Sequence, residues 1–162
     1  MSYDLYCYRS IIGIPHIEEA EDVIGTDTDK WAKKDFNASL KLNIVKAIIH
    51  NNPRFSATDF QYGDVTKLSV SVLEKEQKKF DHIVILNDDD NLRITVYSNH
   101  VFITIPFFYE KIQATQIFEE IDQCIKITNK LAGYFVFDPQ SGRVFDPNET
   151  IFNGLESYLS IK

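Results

Sequence analysis

Between His82 and Ile105 three strand-like segments follow one another across two turns, and no other feature constrains the fold as tightly. His82 to Leu86 is nearly continuous in apolar residues, as in a strand buried on both faces. Asn87-Asp88-Asp89-Asp90-Asn91 then reads as a polar turn. Leu92, Ile94 and Val96 alternate with Arg93, Thr95 and Tyr97, and Val101, Ile103 and Ile105 alternate with Phe102 and Thr104. A period of two places the apolar residues on one face of a pleated strand. Ser98-Asn99 suits a tight turn, because Asn tolerates positive φ. Short turns join antiparallel neighbours, so the segment predicts a three-stranded antiparallel meander.

The flanking regions change period. Over Gln113–Ala132, Ile117, Ile121, Cys124, Thr128 and Leu131 share one helical face, beside Phe118, Ile125 and Ala132. Glu119, Glu120, Asp122, Lys126 and Lys130 fall on the other side, and Gly133 suits the position just past the helix end. A strand over Tyr134–Phe137, a turn through Gly142 and a returning strand over Arg143–Phe145 form a hairpin. Asp146-Pro147-Asn148-Glu149 carries a helix N-cap, a Pro at the first helical position and an acid three residues on. A last helix starting there would pack Phe152, Leu155 and Leu159.

Upstream, Tyr3–Tyr8 alternates as a strand, and a short acidic helix follows Pro15 and ends at Gly25. A core-facing helix spans Asn37–His50, with Ala38, Leu42, Val45 and Ile49 spaced four, three and four. Residues 54–80 carry two conflicting signals. Ser71-Val72-Leu73-Glu74 resembles a capping box, which predicts a short helix through Phe80, whereas Leu68, Val70 and Val72 alternate as in a strand. The helix is the preferred reading. Strands run together with helices before and after them, which is the α+β pattern. The expectation is one domain over residues 1–162: a mostly antiparallel sheet of five or six strands, covered mainly on one face by the Asn37–His50 and Gln113–Ala132 helices.

Charge narrows the partners. Lys plus Arg number 17 against 24 Asp plus Glu, a formal charge of −7. An acidic chain is a poor non-specific partner for nucleic acid or anionic membranes and a better one for a basic surface. Lys30, Lys33 and Lys34, and Lys75, Lys78 and Lys79, read as solvated helix faces rather than a nucleic-acid patch. The N-terminus lacks the basic and apolar regions of a signal peptide, and no apolar run reaches membrane-spanning length. With two Cys far apart in sequence, a reducing cytoplasm with free thiols is the simplest expectation.

Few residues offer chemistry. His16, His50, His82 and His100 lack zinc-ligand spacing, and neither Cys7 nor Cys124 belongs to a CxxC, so no metal is expected. His16 with Glu19 is one pair, short of a ligand set. Asp27 with Asp29, and Asp88 with Asp90, begin like calcium loops but lack the Gly and Glu that complete one. There is no GxSxG, SxxK, GxGxxG or GxxxxGK[ST], so no cofactor is expected either. Cys124 on an apolar helix face and Cys7 in a strand read as core. Asp138 and Asp146 could act as an acid/base pair, but both precede Pro, where Asp serves turns and caps. What remains is surface. Asp88, Asp89 and Asp90 form the densest negative spot, and Phe107, Phe108 and Tyr109 follow Pro106 at a strand end, as core lids or as interface anchors.

MSYDLYCY, NHVFITIPFF and LAGYFVFDPQSGRVFDP resemble stretches of a scattered group of small, standalone bacterial proteins. In that group a similar start, an ITVP-like strand followed by aromatics, and a GY-x-x-YDPQ-x-G-x-x-x-D hairpin recur. The matching positions are Gly133, Tyr134, Asp138, Pro139, Gln140, Gly142 and Asp146, while Phe137 stands for Tyr and Phe107-Phe108 for Tyr-Trp. Members look similar to immunity proteins of polymorphic toxins. The resemblance implies a cytoplasmic, non-catalytic protein that neutralises a co-encoded toxin by covering its active surface. For such a function it is the charge and aromatic patterns, not the resemblance, that single out Asp88, Asp89, Asp90, Phe107, Phe108 and Tyr109 as partner-binding residues facing a basic toxin surface. The rival readings are an enzyme with a site assembled in space near Cys7 or Asp138/Asp146, and an oligomeric scaffold such as a homodimer.

Overall fold

The structure, a computed structural model, describes residues 2–25, 38–61, 64–75, 82–87 and 91–161. The meander is present as β4 (Ile83–Asn87), β5 (Arg93–Val96) and β6 (His100–Pro106). Its register pairs Ile85 with Ile94 and Ile94 with Ile103, so the alternating residues align in one buried row. β1 (Ser2–Tyr8) adds antiparallel to β6, with Leu5 opposite Ile103. β7 (Phe135–Asp138) pairs with β1, and β8 (Arg143–Phe145) closes the hairpin.

Among the described residues the sheet has eight strands, not five or six; with β2 spanning Phe55–Gln61 and β3 Asp64–Leu68, the order is β3-β2-β4-β5-β6-β1-β7-β8 and every pairing is antiparallel. Both additional strands, β2 and β3, come from the ambiguous segment. A helix, α3 (Val70–Lys75), follows them, while residues 76–80 lie outside the described set. Of the alternating residues Leu68, Val70 and Val72, only Leu68 is in a strand, and Val70 and Val72 belong to the helix. Leu68 ends the strand, and Ser69 rather than Ser71 caps the helix, its Oγ accepting from the Val72 amide at 3.3 Å. β2 gave little period-two signal because Asp59, following Thr58, breaks the alternation that Phe55 and Ala57 begin. Its pairing with β4, Ala57 opposite Ile85, is what buries Phe55 and Ala57.

On one face, α2 (Ala38–Asn51) and α4 (Lys111–Ala132) press Leu42, Val45, Ile48, Ile117, Ile121 and Cys124 onto Tyr3, Leu5, Cys7, Ile85, Ile94 and Ile103. At the end of α4 the Gly133 amide donates to the Asn129 carbonyl at 2.7 Å. The opposite face carries α1 (Ile17–Gly25), whose Ala20 and Val23 pack with Tyr8, Phe135 and Phe137. Beside it lies an aromatic strip in which Tyr6 stacks on Phe102 at 4.7 Å and Tyr97 on His100 at 4.4 Å.

The last helix does not start at Asp146. The Asp146 carbonyl accepts from Glu149 and Thr150, and its Oδ1 accepts from the Asn148 amide at 2.9 Å, which makes a single turn. α5 begins at Gly154 and runs to Ile161. The interruption lets Phe152 stack against Phe145 and Phe118, at 6.0 and 6.1 Å between ring centres. Core packing of this ring outweighs the local helix-start signal.

Candidate functional site

The three predicted aromatic anchors differ in exposure. Asp88, Asp89 and Asp90 lie outside the described residues. Tyr109 is only 1% exposed, and its amide donates to the Tyr158 hydroxyl of α5 at 3.2 Å. That hydroxyl in turn donates to the Pro106 carbonyl at 2.7 Å. Phe107 is half-buried and stacks on Tyr158 at 5.4 Å. Tyr109 and Phe107 therefore fasten α5 to the sheet. This corrects the surface role expected for Tyr109, because a buried side chain cannot anchor a partner. Phe108 alone points outward, at 59% exposure.

The residues with potential for catalysis are held by the fold. Burial pushes the Cys7 thiol up to about 12. Cys124 is pushed well above the usual thiol range, chiefly by burial and further by Cys7 and Glu120. Neither is a thiolate near neutral pH, so neither is poised as a nucleophile. Asp138 is buried, and its Oδ2 accepts from the Tyr3 hydroxyl at 2.6 Å. Its Oδ1 accepts from the amides of Gln140 and Ser141 at 3.1 and 3.3 Å, which shapes the hairpin turn. The Tyr3 phenol is raised above its ordinary range by burial, then by the hydrogen bond and charge of Asp138. Asp146 is occupied by its own turn. Among the described residues no group of three His, Cys, Asp or Glu side chains is placed to share a metal ion.

Two surface features were not read from the sequence. A cleft of about 500 Å³ runs between the end of α2, the start of β2 and α4. At its edge Arg54 pairs with Glu120 at 2.8 Å, and buried Asn87 donates to the other Glu120 oxygen at 3.0 Å. These polar groups engage one another and tie α4 to the strand ends.

The second feature is the loop over residues 9–16, between β1 and α1. Ile11, Ile12 and Ile14 are 72%, 53% and 60% exposed, and Ile17 follows them at the start of α1, also exposed. Hydrogen bonds hold this loop in place. Glu19 Oε2 accepts from the amides of Ile11 and Ile12 at 3.1 and 3.0 Å, and Ser10 Oγ accepts from the Gly13 amide at 2.9 Å. Gly13 sits at φ 78°, where a side chain would be strained. Burial opposes the charge on Glu19, but hydrogen bonds from Ser10, Ile12 and Ile11, together with the nearby His16, outweigh it. They hold the carboxyl below its usual range. A shallow, open groove of about 460 Å³ lies between the loop and α1, lined by Ile11, Ile12 and Val23, by His16, and by Glu18, Glu19 and Asp22. A signal was present: Ile-Ile-Gly-Ile-Pro is apolar, yet its Gly and Pro keep it from continuing either a strand or a helix.

No protein-family model, curated protein or solved structure matches the chain.

Proposed function

We propose that this protein works by binding another protein, as a cytoplasmic immunity-type inhibitor that covers the active surface of a co-encoded, basic toxin. The observation that carries this reading is the loop over residues 9–16. It keeps three isoleucines in water, and its backbone amides are held by hydrogen bonds that they donate to side-chain oxygens. Exposed apolar side chains grouped in this way mark interaction surfaces, and a preorganised loop loses little conformational freedom on docking. Four carboxylates on α1, Glu18, Glu19, Glu21 and Asp22, lie next to the isoleucines and add to the acidic balance of the chain. Phe108 and the Asp88-Asp89-Asp90 cluster belong to the same reading as further contacts. Among the described residues no helix is long and apolar enough to cross a membrane.

The test is to express the product of the neighbouring gene in a host cell with and without this protein, and to measure binding of the two purified chains. Rescue of growth together with direct binding supports the reading. A neighbouring product that neither harms the cell nor binds overturns it. Turnover of a small substrate that is lost in Cys7→Ala would move the assignment to an enzyme.

A further inference from the structure

Resting on the immunity reading, we infer that the groove between the residue 9–16 loop and α1 is the docking site for a cationic side chain, arginine or lysine, of the protein partner. Besides His16, the groove is lined by two kinds of group, and such a side chain has two matching parts. Ile11, Ile12 and Val23 offer apolar surface for an aliphatic stem, and Glu18, Glu19 and Asp22 bring carboxylates to the same groove. Long cationic side chains bury their stems against apolar surface and keep the charged head with polar groups. A guanidinium also matches carboxylates in a planar, forked geometry, and arginine is enriched among residues that dominate binding energy. Charge selects the class of partner. From Arg9 to Gly25 there are four carboxylates against a single arginine, Arg9, so the stretch is net acidic. That stretch repels the anionic headgroups that attract basic segments, so an exposed isoleucine loop here fits a basic protein face and not a lipid surface. The same repulsion disfavours a second copy of this acidic chain.

The groove is tested first without the toxin. The labelled protein is titrated with Nα-acetyl-arginine amide and, separately, with the uncharged citrulline analogue, while amide resonances are followed by NMR. The arginine probe is expected to give saturable shifts at Ile11, Ile12 and Glu18. Glu18→Gln and Ile12→Ser should each weaken that binding several-fold, and citrulline should bind about fivefold more weakly or not at all. Both substitutions are at exposed positions, and Glu19 is left intact because it holds the loop. Absence of saturable shifts, or equal binding of citrulline, overturns the inference. The second arm measures binding of the toxin. A double variant, Ile12→Ser with Glu18→Gln, should bind at least about thirtyfold more weakly than the parent. If the parent binds and the double variant binds equally well, the groove is not the docking site, although the immunity reading survives. If the parent does not bind, the immunity reading falls, and the arginine titration alone decides the groove. Binding to phosphatidylglycerol vesicles that Ile12→Ser removes, or a dimer that Ile12→Ser dissociates, would also overturn the assignment of the occupant.

Discussion

His100 makes the stability of this protein depend on mild acid. It is buried on the aromatic strip, stacked on Tyr97, with Nδ1 at 2.7 Å from Asn99 Oδ1. Burial lowers its pKa from 6.5 to about 4. The folded state therefore resists a proton that the unfolded chain accepts near its ordinary value. Stability is complete above the unfolded pKa and falls as the pH drops towards the folded one. At roughly 1.4 kcal/mol per pKa unit, the full loss across that window is about 3 kcal/mol. Between pH 7 and pH 5 alone, the linkage relation puts the loss at about 2 kcal/mol. The assay is urea denaturation of the parent and of His100→Gln at pH 7, 6 and 5. Gln can still donate to Asn99 Oδ1 but does not titrate in this range. Carboxylates such as Glu19 titrate in both proteins, so the difference between the two curves isolates His100. The parent should lose about 2 kcal/mol more than the variant from pH 7 to pH 5. Parallel pH profiles would refute the reasoning.

Two glycines separate backbone strain from crowding. Gly142 sits at φ 65° with open space where a Cβ would project, so Gly142→Val should cost about 1–2 kcal/mol through strain. At Gly154 an added Cβ would collide with the Phe152 ring, so Gly154→Ala should cost about 1–3 kcal/mol by displacing that ring; unchanged melting temperatures would count against both. The thiols of Cys7 and Cys124 should react with a labelling reagent only at the rate of unfolding, and rapid modification of the native protein would contradict their burial.

Much of the fold was legible because it depends on local periodicity. The alternation through Leu92–Val96 and Val101–Ile105 and the stripe through Ile117, Ile121 and Cys124 each state which side of an element is apolar. The structure buries those sides. Gly133 and the hairpin through Gly142 were legible for a similar reason, since their backbone demands are met within a few residues. What periodicity cannot state is which distant segment covers an apolar side. β2 and β3 carry weak alternation and become strands through pairing with β4 and with each other. The helix-start signal at Asp146 lost to the packing of Phe152 on Phe118, which lies more than thirty residues away in sequence. Among Phe107, Phe108 and Tyr109, adjacent and chemically alike, only the approach of Tyr158 separates a core residue from an exposed one. The isoleucines of the residue 9–16 loop show the converse. Their composition suits a core, but the Glu19 carboxylate ties their backbone outside it. Local pattern reports what a segment is able to bury. Long-range pairing and side-chain hydrogen bonds decide what it buries, because the energy of burial is realised only when a second surface arrives.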